Sequence, residues 1–143
     1  MTQEQKDLLL KDLCSRLPHG VKIAMPGLWD SKTTIEPLNE IFKGDDGLFR
    51  VNGNGHCIEY IKPYLFPMSS ITEEQYYELQ NVSGEDCLDH MEMIKSLRES
   101  TDFTHWPLYE YRVIDWLNKN HFDYRGLIEK GLAIDATDKN IYC

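Results

Sequence analysis

The apolar positions change their period along the chain, and each change predicts a different element. Leu9, Leu10, Leu13 and Leu17 recur at helical spacing with Leu8 beside them, which predicts an amphipathic N-terminal helix. Thr2-Gln3-Glu4-Gln5 ahead of it has the form of a capping box, in which the Thr2 and Gln5 side chains each satisfy a free backbone N–H. Pro18 and Gly20 end the helix. Cys14 lies beside the apolar stripe and reads as a small core residue. From Val21 the period shortens to two. Val21, Ile23 and Met25 alternate with Lys22 and Ala24, a half-buried strand stopped by Pro26-Gly27. Residues 33–42 carry a strand signal broken at Pro37, residues 43–47 a turn, and residues 48–51 a short strand. Asn52-Gly53-Asn54-Gly55 holds the Asn-Gly pairs favoured in type I′ hairpin turns. Residues 57–65 form the next strand, with Pro63 placing its second half at an edge or past the end. Four short strands joined by tight turns predict a small, curved antiparallel sheet. Its size suits an SH3-like partial barrel with one face left for helices to cover.

After a linker at residues 67–70 the pattern turns helical. Thr72 opens a short helix with Glu73 and Glu74 in its first turn, where negative charge is favourable. Residues 85–98 repeat Leu88, Met91, Ile94 and Leu97 at three-residue steps. The clearest signal is residues 108–133. Tyr109, Val113, Trp116 and Leu117 form one apolar stripe, while Glu110, Arg112, Asp115 and Lys119 lie mostly opposite. The pattern weakens at Asn118, Asn120 and His121. Asp123 then suits the N-cap of a second, shorter helix that buries Leu127 and Ile128 and ends at Gly131 in the left-handed C′ position. The expected class is therefore α+β in one domain over residues 1–143. A helix and β part run to about residue 66, a helical part covers about 71–134, and a short tail comes last.

Three blocks carry a resemblance: KDLCSRLPHGVK near the start, IKPYLFPMSSITEE in the middle and NKNHFDYRGLIEKGLA near the end. In this order they resemble a set of short uncharacterised proteins of Bacteroides-type gut bacteria and of their phages and prophages. The blocks cover about a third of the chain. The resemblance implies a mobile-element setting and no particular reaction, so it carries over no catalytic residue. Residues 135–143 depart from the ending usual in those proteins.

Charge narrows the function classes. A net charge of −9 over 143 residues argues against a general nucleic-acid binder, whose affinity comes from Lys and Arg on phosphates. The four cysteines, Cys14, Cys57, Cys87 and Cys143, make no CxxC pair. The start from Thr2 to Asp7 is polar, and no apolar run approaches the roughly 20 residues of a membrane span. The expectation is a cytoplasmic protein with reduced thiols and neither metal nor cofactor. Cys87 and His90 at i, i+3 and His56 beside Cys57 fall short of the converging ligands zinc requires. No G-x-S-x-G is present, and Gly53-Asn54-Gly55 lacks the Lys-Ser/Thr of a phosphate-binding loop.

The best polar cluster is the corner His121, Asp123, Tyr124 and Arg125. As a binding site, Arg125 near a helix N-terminus would clamp an anion and Tyr124 would stack on a base. As structure, Asp123 is a cap, Arg125 pairs with a nearby carboxylate, and Phe122 and Tyr124 pack. Trp29 in the loop after Gly27 is a further candidate for an interface. The expectation drawn from size, acidity and setting is a phage-type accessory protein that binds without catalysis. It would act by holding a host protein or sequestering a small nucleotide signal. A small enzyme acting on a nucleotide or nucleic acid, and a regulatory protein that pairs with itself, are the alternatives. A homo-oligomer is expected from the sheet edge at residues 63–67 and from Trp29, Phe66 and Trp106 in loops.

Overall fold

The computed structural model describes residues 1–27, 32–53, 56–83 and 111–142. Helix α1 (Gln3–Arg16) opens in the expected capping box: the Gln5 N–H donates to Thr2 Oγ1 at 3.1 Å and the Thr2 N–H to Gln5 Oε1 at 3.0 Å. Its buried stripe is Leu9, Asp12, Leu13 and Arg16. Cys14 is exposed rather than in the core, because one residue past Leu13 is a rotation of about 100° off the stripe. Two charged residues thus occupy the buried face, and they position the site below.

The strands form two sheets. Strand β1 (Lys22–Met25) pairs antiparallel with β2 (Thr34–Pro37) and with the start of β6 (Lys62–Pro67). Strand β6 then pairs in parallel with β7 (Phe122–Asp123) and β8 (Ile134–Asp135). A separate three-stranded antiparallel sheet holds β3 (Ile41–Lys43), β4 (Phe49–Val51) and β5 (His56–Cys57). The class is α+β, but the single antiparallel sheet is corrected to a mixed sheet of five strands and a small one of three. No barrel closes among the described residues.

The sequence pattern misleads at three places, each for a physical reason. The strand expected at 57–65 is cut by a 3₁₀ turn, Ile58–Tyr60, which buries both Ile58 and Ile61. Those residues have opposite parity, so one straight strand would send them to opposite faces. Pro63 stands near the beginning of the central strand, not at an edge. It pairs with Ile23 where the β1 ladder ends, and Tyr64–Pro67 take parallel partners instead. The edge on which self-association is expected is therefore occupied by β7 and β8. Finally, the C-terminal part is not only helical, since β7 and β8 both come from it. Strands of two residues are too short to show a period.

Strand β1 is also more enclosed than a half-buried strand, because Ala24 packs under Tyr64 and Ala136 while Ile23 and Met25 fill the opposite core. After β4, Asn52 and Gly53 both take left-handed φ, +53° and +66°, but Val51 pairs with His56, so the connection is four residues long rather than a two-residue type I′ turn. Helix α2 (Glu73–Ser83) begins in a second capping box, with the Gln75 N–H on Thr72 Oγ1 at 3.2 Å and the Thr72 N–H on Gln75 Oε1 at 3.0 Å. Helix α3 (Tyr111–Lys119) buries Val113, Trp116 and Leu117 and exposes Arg112, Asp115 and Lys119, as the pattern predicts. Trp116 stacks on Phe122 with ring centroids 5.6 Å apart, in a core shared with Tyr76 and Leu79 of α2. The helix expected over 85–98, Tyr109 and Trp106 lie outside the described residues. Among the described residues no helix is long and apolar enough to cross a membrane.

Candidate functional site

The corner after α3 is built by local bonds. The Asn120 N–H and side-chain amide both donate to the Trp116 carbonyl, at 3.0 and 2.9 Å, and close the helix. The His121 N–H donates to the Asn118 carbonyl at 3.2 Å, and His121 takes φ of +64°. That left-handed residue reverses the chain. Phe122 and Asp123 then run beside Phe66 and Pro67, and the His121 carbonyl accepts from the Phe66 N–H at 2.8 Å. Asp123 caps the next segment of chain: its two carboxylate oxygens accept the N–H groups of Leu127 and Ile128 at 2.8 and 2.9 Å. That segment is one capped turn rather than the short helix expected. It still ends as a helix does, with the Gly131 N–H on the Ile128 carbonyl at 3.1 Å, the Leu132 N–H on the Leu127 carbonyl at 2.9 Å and Gly131 at φ +72°. This is a Schellman closure, and Leu127 and Leu132 supply its buried apolar contact.

One side of the corner faces α1 and is filled with paired charge. Asp12 accepts from Arg16 Nε through one oxygen and from Arg125 Nη1 through the other, both at 2.8 Å. Arg16 also donates through Nη2 to the Phe122 carbonyl at 2.6 Å. The side chains of Asp12 and Arg16 are wholly buried, and that of Arg125 is 11% exposed. The Tyr124 ring lies beneath both guanidinium groups, 4.6 Å from that of Arg125 and 5.3 Å from that of Arg16. The Tyr124 hydroxyl donates to buried Asn118 at 2.8 Å. Burial holds the Asp123 carboxyl above the usual carboxylate range, against the pull of its two N–H donors, and the nearby charge of Asp12 adds to the rise.

The other side opens into a cleft of about 400 Å³. His121 stacks on Tyr142, with ring centroids 3.8 Å apart and planes 15° from parallel. Phe66 leans on Tyr142 at 5.7 Å and 54°. Gln75, Lys119, Asn120, Thr137 and Asn140 add polar groups to the lining. The residues after β8 supply the far wall, and they are tied down from behind. The Tyr142 hydroxyl donates to the Tyr64 carbonyl at 2.7 Å and accepts the Lys22 N–H at 2.9 Å, while Lys22 Nζ donates to the Ile141 carbonyl at 2.6 Å. Burial first, then the positive charges of Arg16, His19 and Lys22, lower the His121 pKa to about 4. Its Nδ1 is buried with no hydrogen-bond partner. The neutral ring therefore keeps its proton on Nε2, since an orphaned N–H is worse tolerated than an orphaned acceptor. Burial pushes the Tyr142 hydroxyl up to about 12.

Of the residues singled out from the sequence, His121 lines this cleft, and so does Phe66, expected in a loop but lying in strand β6. Asp123, Tyr124 and Arg125 are committed to the inner side, and Trp29 lies outside the described residues, as do Cys87 and His90. Sequence reasoning misses Asp12, Arg16, Gln75, Thr137, Asn140 and Tyr142. The first two carry a usable signal, because positions 12 and 16 share a helical face with Leu9 and Leu13. The tail residues carry none. A second, smaller cleft of about 160 Å³ lies between α1 and the three-stranded sheet, with the Lys6–Glu59 ion pair at 3.0 Å among its lining residues. Among the described residues no group of three or more His, Cys, Asp or Glu side chains could hold a metal ion. Comparison of the chain with protein-family models, curated proteins and solved structures returns no match.

Proposed function

We propose that the protein is a binding module that holds a small ligand in the His121–Tyr142 cleft without transforming it. The supporting observation is the cleft's own chemistry. Its described lining contains no carboxylate and no thiol. The two ring groups able to move a proton are displaced in opposite directions, His121 to about 4 and Tyr142 to about 12. General acid–base catalysis works best with a group that titrates near the operating pH. The volume, about 400 Å³, falls in the range of about 300–1,000 Å³ typical of small-molecule sites. Sequestration of a small compound, in the accessory mobile-element setting that the sequence resemblance implies, is the biological role this reading favours over capture of a host protein.

Two-dimensional NMR of the labelled protein, titrated with a chemically mixed set of small molecules, tests the reading. Resonances of Phe66, His121, Thr137 and Tyr142 should shift together for at least one compound, and that compound should be recovered unchanged. No small molecule moving those resonances would overturn the reading. Conversion of the bound compound would replace it with the enzyme alternative.

A further inference from the structure

We propose that the ligand of this cleft is a flat heteroaromatic ring carrying a phosphate, a molecule of nucleoside monophosphate size. The inference rests on the binding reading above and adds the chemical class. His121 and Tyr142 are closed on each other at 3.8 Å, so a flat ligand ring would extend the stack on an outer face, where base-on-aromatic stacking accepts any flat ring because every such ring has a π face. With Asn120 Nδ2 on the Trp116 carbonyl and Gln75 Oε1 on the Thr72 N–H, the amide atoms left for the edge of a heterocycle are Asn120 Oδ1, an acceptor, and Gln75 Nε2, a donor.

The charge of the cleft points to an anion. The protein carries −9 overall, yet Lys119 is the only fully charged side chain among the described lining residues. Lys22 Nζ lies behind the Tyr142 ring at 5.9 Å, and Arg16 lies behind His121 through its bond to the Phe122 carbonyl. Three of the nearby carboxylates are engaged elsewhere. Asp135 accepts from the Thr137 N–H and hydroxyl, Asp123 from Leu127 and Ile128, and Asp12 from the two arginines. An anionic group at the rim therefore meets Lys119, with exposed Asp115 one helical turn before it on the same face as the nearest competing carboxylate on that helix. The His121 ring, kept neutral by burial, adds a hydrogen-bond donor and an apolar face.

Calorimetric titration with AMP, GMP, CMP and UMP, each beside its parent nucleoside, and with inorganic phosphate and benzoate, tests the class. At least one monophosphate should bind, and its nucleoside about ten-fold more weakly, the scale of one charge-assisted hydrogen bond. Lys119→Glu, at an exposed position, should bring monophosphate affinity down to that of the nucleoside or below it. Tyr142→Leu should weaken nucleoside and monophosphate alike, by roughly 5- to 100-fold. Phosphate alone should bind far more weakly than the monophosphate. The proposal is overturned if no monophosphate binds, if nucleosides bind as tightly as their monophosphates, or if Lys119→Glu changes nothing. Tight binding of benzoate with no monophosphate bound would assign the site to aromatic carboxylates instead. If other compounds move the cleft resonances while these probes fail, the class is wrong and the binding reading stands.

Discussion

The two sides of the corner at residues 121–125 use similar residue types for opposite ends. On the inner side Asp12 bridges Arg16 and Arg125, and Tyr124 lies under both cations. The Asp12 carboxylate oxygens are both occupied, and the groups hold α1 against the C-terminal part of the chain. On the outer side His121 and Tyr142 also stack, and lysine is again near, but amides and a lysine line an open cleft. The difference lies in how deeply the charged groups are buried and bridged, since among the described residues each side leaves one buried nitrogen unpartnered, Arg16 Nη1 on the inner and His121 Nδ1 on the outer. A buried ion network ties elements together and is costly to break. Polar groups at the mouth of a cleft remain available to something else.

The largest expected effect comes from removing the centre of the inner side. Asp12→Ala leaves two guanidinium groups facing each other at a buried site and should cost about 3–5 kcal/mol. Domains of this size have only about 5–15 kcal/mol in total, so urea denaturation should show a barely folded protein. A loss under about 1 kcal/mol, the scale of an exposed pair, would show that the network contributes little. Trp116→Ala should cost a similar amount, about 3–5 kcal/mol, through the cavity left beside Phe122. This variant damages the core without removing a charge from the Asp12 network, so it calibrates the first. Arg125→Ala belongs at the lower end of the same range, because Arg125 retains some exposure. Asp123→Ala should cost about 1–2 kcal/mol as a lost cap.

On the outer side the expected effects on stability are smaller. His121→Asn keeps a residue type that tolerates positive φ and should cost about 0.5–1.5 kcal/mol, the value of the lost stack. The pH dependence carries a sign. A histidine lowered from 6.5 to about 4 on folding is protonated more readily in the unfolded chain. Its contribution therefore leaves stability unaffected above pH 6.5 and erodes it as pH falls from about 6.5 towards 4. The raised carboxyl of Asp123 acts oppositely within its own window, just above the ordinary carboxylate value, where stability falls as pH rises. Melting curves between about pH 7.5 and 4.5 should thus show an acid-side loss that His121→Asn flattens. An unchanged slope in that variant would contradict the burial assigned to the imidazole.

Much of the local structure is legible in the sequence. The Thr2 capping box, the Val113–Trp116–Leu117 stripe, Asp123 as a cap and Gly131 at the C′ position all depend on neighbours within about one helical turn. What escapes depends on distant partners. Asp12 and Arg16 share the apolar face of Leu9 and Leu13, but the partners that make their burial tolerable, Arg125 and the Phe122 carbonyl, lie more than 100 residues away. The division of the strands into two sheets turns on the 3₁₀ turn at Ile58, which looks extended in a pattern of β-favouring residues. The tail carries no hydrophobic period, and it forms a cleft wall through a two-residue strand and a single tyrosine. Of the cleft, His121 stands out in the sequence as part of a corner whose other members turn inward, and Phe66 as an aromatic expected in a loop rather than in strand β6.

The division of the corner is tested most directly by measuring monophosphate affinity and melting temperature together in Arg125→Ala and His121→Asn. Titration should be carried out below the melting temperature of the weaker variant. Arg125→Ala should melt earlier than wild type while its folded fraction keeps the wild-type Kd. His121→Asn should melt close to wild type and bind more weakly. A folded Arg125→Ala protein with near-normal stability and lost binding would contradict the account and move the site to the inner side of the corner.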